Sequence, residues 1–171
     1  MNKYKRISFL HSGVAMVEFA IVLPLLIMIL FGITELGRAL YQQNTLYKAL
    51  STGSRYIARV NGILDADCVA QTGWASANIT AQNLIIYGTT TVTPPPLIPN
   101  LDAVDAVTIA VESRPLAKTN LDGDPVIENI CVISITAEAD FAGLFSDHVI
   151  PFTDIEPFMI RAETEERYIG L

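Results

Sequence analysis

The chain has 171 residues, 51% of them hydrophobic, and a mean hydropathy of +0.40, which is high for a chain that lives wholly in water. Its formal charge of −7 hides a split: Lys3, Lys5 and Arg6 make the first 13 residues basic with no acid, and the remainder carries eight Lys+Arg against 18 acids. An acidic body without a basic patch argues against nucleic-acid binding, and at minimum that charge keeps an exported domain soluble.

The first element is apolar. Phe19 to Ile33 reads FAIVLPLLIMILFGI, with no charge and no amide, and extending back to Val14 gives 20 residues whose only ionisable group is Glu18. A helix of that length is about 30 Å long and matches the hydrocarbon of a bilayer. Pro24 removes one backbone hydrogen bond, which membrane helices tolerate. The basic cluster precedes the span and Thr34-Glu35 follow it, so the positive-inside rule keeps the N-terminus in the cytoplasm and exports the rest. A cleaved signal peptide is the competing reading. Gly37-Arg38-Ala39 is a poor small-x-small site, however, and the apolar run exceeds a usual signal core. A retained anchor is expected, with the lipid bilayer as its first partner.

Glu18 is the informative residue of this span. A charge in the hydrocarbon costs a few kcal/mol, so it has a partner or a purpose unless it merely snorkels at the boundary. Ser12-Gly13 lie just upstream, and a small flexible residue at the cytoplasmic edge could admit a protease. Gly13, four residues, then Glu18-Phe19 resembles the processing site of type IV pilin-like precursors. More narrowly, GVAMVEFAIVLPLLIMILFGITELGRALY resembles the start of the TadE-like pseudopilins, the minor pilins of tight-adherence (Flp, type IVb-like) pilus systems. The likeness covers Ser12 to Val60, with Ala81 to Gly88 adding a less specific match.

The resemblance implies a leader cut by a prepilin peptidase between Gly13 and Val14, with Glu18 and Phe19 serving assembly and recognition. It also implies the partners: the prepilin peptidase, other pilin or pseudopilin subunits and the Tad membrane machinery. The implied location is the bacterial inner membrane, with the C-terminal domain periplasmic or carried on the pilus. The chemistry of the carboxylate can be stated independently. Cleavage would create a charged α-amino group at Val14, and an opposite charge nearby favours both ionised forms. Val14 and Glu18 are one helical turn apart and could pair within one helix or between neighbours. The resemblance implies the intermolecular pair, which would align incoming subunits.

Beyond the span, Leu36, Leu40, Gln43, Tyr47, Leu50, Ile57 and Val60 recur at spacings of three, four or seven. No proline interrupts Glu35 to Val60, so one helix is predicted over 14–60. Its apolar stripe is expected to pack on its own domain in preference to a neighbouring subunit. Asn61-Gly62 stops it, and Asp65 to Gly73 reads as a loop holding Cys68. Trp74 to Tyr87 is predicted as a second helix with Ala75, Ile79, Gln82 and Ile86 on one side, ended by Gly88. Thr89-Thr90-Thr91 and Pro94-Pro95-Pro96 predict an extended, stiff connection.

After Asn100 the period becomes two. Val107, Ile109 and Val111 predict one strand, and Leu121-Asp122-Gly123-Asp124-Pro125 a turn. Ile127, Asn129, Cys131, Ile133, Ile135, Ala137 and Ala139 share one face of a longer strand. Phe158, Ile160, Ala162 and Thr164 suggest a third. Two cysteines allow a single bridge, and an oxidising compartment favours it. The alternative is two separate buried thiols. Cys131 falls on the core-facing parity, so a Cys68–Cys131 bridge would tie the sheet to the loop after the long helix.

Catalytic patterns are missing from the sequence. Its two histidines, His11 and His148, stand apart, and no Cys-x-x-Cys, His-Glu-x-x-His, phosphate loop or Gly-x-Ser-x-Gly occurs. Asp122-Gly123-Asp124 lacks the ligand spacing of a calcium loop and reads as a solvated turn. Asn78-Ile79-Thr80 matches a glycosylation sequon, which means little in a bacterial envelope protein. No enzyme, cofactor or metal is expected.

The expected fold is α+β: a long N-terminal helix, membrane-spanning in its first half, packed on a small antiparallel sheet. The expected organisation is a basic leader over 1–13, a transmembrane helix over 14–34 and an exported domain over 35–171. The leading functional expectation is a processed minor pilin taking part in Flp/Tad pilus assembly. The alternative is an uncleaved single-pass envelope protein whose periplasmic domain binds a ligand or partner.

Overall fold

A computed structural model describes residues 8–92, 95–101, 106–120, 123–145 and 158–170, with side chains from residue 13 onward. His148, the basic residues of the leader, Thr93-Pro94 of the extended connection and Leu121-Asp122 of the turn lie outside the described residues, as does the side chain of His11.

The elements are helix α1 (Ser8–Ile57), helix α2 (Trp74–Tyr87), and strands β1 (Val107–Thr119), β2 (Pro125–Asp140) and β3 (Met159–Arg167). The strands form one antiparallel sheet in the order β1-β2-β3, so the fold is the expected α+β. The chain divides into two units. The first comprises Met1–Arg38 with Gly143–Pro157, and the second comprises Ala39–Ala142 with Phe158–Leu171.

In the first unit, α1 is apolar and every described residue from Gly13 to Leu30 is exposed. It is the one helix among the described residues long and apolar enough to cross a membrane. Pro24 lies inside it. The helix begins at Ser8 and not at Val14, so it runs unbroken through Gly13. Its regular part ends at Ile57, three residues before the predicted end. Val60 is reached through tight turns in which Arg59 N–H donates to the Tyr56 carbonyl and Val60 N–H to the Ile57 carbonyl. Gly62, at φ 70°, completes the stop that Asn61-Gly62 predicted.

The second unit is built on the other end of α1. Here the apolar stripe differs from expectation. Leu40 and Tyr47 are exposed, as is Leu36 in the first unit, whereas Leu46, Ala49, Leu50, Gly53, Ser54 and Ile57 are buried. Leu50 and Ile57 belong to both sets. On this side Gly53 lies against Ile85 and the Ala81 carbonyl of α2, whose Ala77, Ala81, Ile85 and Ile86 are buried. Small residues on each helix allow close approach, a feature that a count of large hydrophobes does not weigh. Gly88 caps α2 at φ 73°, its N–H donating to the Leu84 carbonyl.

On the sheet, Cys131, Ile133, Ile135, Ala137 and Ala139 of β2 are buried, with Val107 of β1 and Ile160 and Ala162 of β3. Burying each large aliphatic side chain here stabilises by about 1.5–3 kcal/mol. Ile127 and Asn129, predicted on the same face, are exposed, because β3 and the core stop at the register of Val132↔Arg167. The C-terminal residues return to α1. Tyr168 hydroxyl donates to the Val60 carbonyl at 2.9 Å and accepts from Ile63 N–H at 3.2 Å, and Ile169 N–H donates to the Ala58 carbonyl. Between β2 and β3, Phe141 N–H donates to the Phe158 carbonyl at 2.9 Å, and the two rings stack with centroids 5.0 Å apart.

The outward face carries an ionic clamp. Arg114 on β1 reaches over β2 to Glu165 on β3, at 2.6 and 2.7 Å, while also meeting Glu112. The register carries it across Val132, the one even-numbered residue of β2 that is buried. The hydrogen bond from Arg114 holds the Glu165 carboxyl below its ordinary range, and the same bond raises Arg114. A lowered carboxyl contributes stability above its unfolded value and loses it as pH falls through the folded one. The stability difference between the parent and Arg114→Gln is therefore expected at neutral pH and absent in strong acid, read by urea unfolding at both. Because the pair is exposed, the effect is small.

Candidate functional site

The sequence-predicted site residues lie on two separate stretches. Gly13, Val14, Glu18 and Phe19 all sit on the exposed N-terminal part of α1. A Cβ placed on Gly13 would meet nothing within 4 Å, so among the described residues nothing packs against that position. Val14 and Glu18 are separated by one helical turn, a rise of about 6 Å. Exposed apolar residues surround them on all sides: Val14, Met16, Val17, Phe19 and Ile21. A helical surface this apolar is not stable in water and calls for lipid or neighbouring helices.

Where this span ends, the structure brings in a residue that sequence reasoning passed over as a mere flank. Glu35 is 1% exposed. Its Oε1 accepts from Leu144 N–H at 2.6 Å, a short, charge-assisted contact. Among the described residues its Oε2 is buried without a hydrogen-bond partner, as is Nε of Arg38 one turn later. One turn before Glu35, Phe31 meets Phe145 edge-on, with centroids 5.4 Å apart and an interplanar angle of 87°. Residues 144 and 145 thus form a strap over the last turns of the apolar span, held by one ring contact and one carboxylate. The sequence gives one hint of this, a lone carboxylate two residues past an apolar run. What buries it arrives from more than a hundred residues away, which helical periodicity cannot register.

Removing the carboxylate leaves the Leu144 amide without its acceptor, and charged hydrogen bonds of this kind contribute about 1.5–3 kcal/mol. Glu35→Ala is expected to speed hydrogen exchange at Leu144 about 10–100-fold. Glu35→Gln, which keeps a carbonyl acceptor, should do so less. Equal exchange in all three proteins would remove Glu35 from this role.

The second stretch is the Cys68 loop. Cys68 and Cys131 are disulfide-bonded, which sets aside the alternative of two separate thiols. Asp65 organises the loop: Oδ1 accepts from the N–H groups of Asp67 and Val69 at 3.0 and 2.8 Å, and Oδ2 from Gln71 Nε2 at 2.9 Å. Cys68 itself has φ 65°, a left-handed conformation that side chains other than glycine, asparagine or aspartate rarely adopt. The bridge ties this loop to β2 as the parity of Cys131 predicted. Among the described residues, no group of three or more His, Cys, Asp or Glu is placed to hold a metal ion.

Residues 13–55 match the family model described as TadE-like protein. The matched segment starts at Gly13 and ends two residues before the end of α1, so it follows one helix and leaves the sheet outside. No curated protein and no solved structure matches the chain.

Proposed function

We propose that the chain is a minor pilin or pseudopilin of a Tad (Flp-type) pilus system, a non-enzymatic subunit that takes part in pilus assembly through α1. The observation that carries this reading is the coincidence of the TadE-like match over residues 13–55 with a helix whose apolar surface is exposed from Gly13 to Leu30 and broken there by a single carboxylate, Glu18. The subunit waits in the inner membrane with its N-terminus cytoplasmic and its body exported. A prepilin peptidase cuts between Gly13 and Val14. The new ammonium at Val14 then pairs with Glu18 of a neighbouring copy or of another subunit, with Phe19 beside it.

The helical run through Gly13 bears on how the cut would occur. A peptide bond inside a helix has its polar groups engaged, so a few residues must unwind first. Glycine is the easiest place for this, since it destabilises a helix interior by about 1 kcal/mol relative to alanine. The same helical run favours the alternative of an uncleaved single-pass envelope protein whose body binds a ligand or partner.

N-terminal sequencing of the protein extracted from membranes separates the two. An amino terminus at Val14, lost in cells without prepilin peptidase, is the expected result, and an intact Met1 or Asn2 would favour the alternative. Glu18→Ala should leave processing intact and reduce incorporation into pilus fractions by tenfold or more. Unchanged incorporation would end the pairing role.

A further inference from the structure

β2 is the middle strand for only part of its length. It pairs with β1 from Pro125 to Ala137, but with β3 only from Val132 onward. Tyr168 N–H donates to the Cys131 carbonyl, after which the chain leaves the sheet for the end of α1. That hydrogen bond fixes the parity of the strand. In an antiparallel ladder both backbone groups of a residue face the same neighbour, so Cys131, and with it Asn129 and Ile127, turn their N–H and C=O groups away from β1. At Asn129 and Ile127 those four groups meet no strand among the described residues. Pro125 ends the row without an N–H of its own.

Unpaired backbone on a strand edge is a template for another strand. The other edges of the sheet are better protected. Pro115 interrupts the outer edge of β1, and Gln82 Nε2 caps its Val107 carbonyl. Gln43 Nε2 caps the Arg161 carbonyl on the outer edge of β3. The β2 edge instead opens into a groove of about 420 Å³, walled by the Asp65–Asp67 loop on one side and by Arg167 and Tyr168 on the other. Ile127, 74% exposed, shares the edge and offers apolar surface. Asp65, Asp67 and Glu128 line the groove against one cation, Arg167. Lys118 already pairs with Glu128, so the two aspartates set the sign of the unfilled part.

We propose that this edge is a strand-addition site, in which an extended, cationic segment of a partner protein continues β3 alongside Ile127 and Asn129. Backbone hydrogen bonds to those two residues supply the affinity, Ile127 packs against an apolar side chain of the incoming segment, and Asp65 and Asp67 select for lysine or arginine. The site lies wholly in the second unit and is independent of whether the leader is cut.

The test uses the full chain in detergent micelles and a labelled hexapeptide of alternating valine and lysine, followed by fluorescence anisotropy. Saturable binding is expected, weakened at least tenfold by Asn129→Pro. That substitution removes an N–H that points away from β1, so the sheet should survive it with its circular dichroism unchanged. Asn129→Thr keeps the N–H and should bind as the parent does. If Asn129→Pro does not fold, the parent chain with a backbone N-methylated probe replaces it, and the same tenfold loss is expected. No binding of the lysine peptide, equal binding of a valine–glutamate peptide, or equal binding by Asn129→Pro or the methylated probe would overturn the proposal. So would a self-associated state in sedimentation that Asn129→Pro abolishes, because the occupant would then be a second copy.

Discussion

Replacing Cys68 and Cys131 together by serine is expected to lower the unfolding free energy by about 3 kcal/mol. The bridge spans a sequence separation of 63, and closing a loop of that length in the unfolded chain corresponds to about 4 kcal/mol in the chain-entropy model. Part of that is offset. Cys68 sits at φ 65°, strain of about 1 kcal/mol or more that the loop can release once the bond is gone. The folded loop should otherwise persist, because Asp65 holds it through three hydrogen bonds that involve neither cysteine. Against a typical domain stability of about 5–15 kcal/mol, the loss is severe but not fatal. Urea unfolding followed by the fluorescence of Trp74, the only tryptophan, measures it in the full chain. A loss below about 1 kcal/mol would mean that the unfolded chain is already compact enough for the bridge to restrict little.

The second large effect is expected at Gly53, where α1 and α2 approach. A Cβ there would lie 2.5 Å from Cγ1 and 2.7 Å from Cδ1 of Ile85, and 3.2 Å from the Ala81 carbonyl oxygen. Ile85 is fully buried and has nowhere to swing, and the Ala81 carbonyl belongs to the backbone of α2. Gly53→Ala is therefore expected to destabilise by about 2–3 kcal/mol through overpacking, although alanine is the better helix former by about 1 kcal/mol. The sign of the net change decides between packing and propensity. Ile85→Ala removes both obstructing atoms, so Gly53→Ala/Ile85→Ala should cost less than the two single changes added together. Strict additivity would show that the helices part without consequence.

Much of the architecture was legible in the sequence, for identifiable reasons. A 20-residue apolar run, a period-two pattern after Asn100 and a glycine after Tyr87 each reflect a local physical demand. α2 accordingly begins and ends where its residues predicted, and all three strands occur. The choice of buried face on α1 was less legible. Leu36, Leu40 and Tyr47 have the right spacing for a core stripe, yet the helix turns Gly53 inward, where Ile85 and the Ala81 carbonyl of α2 lie against it. Such a decision belongs to a pair of elements, and neither sequence contains it alone. The burial of Glu35 was illegible for the same reason, its cover coming from Leu144. Ile127 and Asn129 obeyed the alternation but not the burial it usually implies, since the length of β3 limits how far the core extends.

The stacked pair of Phe141 and Phe158, with its backbone hydrogen bond, has a consequence for how such a chain can diversify. It closes the sheet at the point where β2 hands over to β3, so the register of Ala139↔Ile160 is fixed before the intervening residues are consulted. Doubling the length between two such anchors raises the closure cost by only about 0.6 kcal/mol. The alignment of β2 with β3 is therefore set by its own ends, and lengthening the chain between them is expected to leave the Ala139↔Ile160 register unchanged.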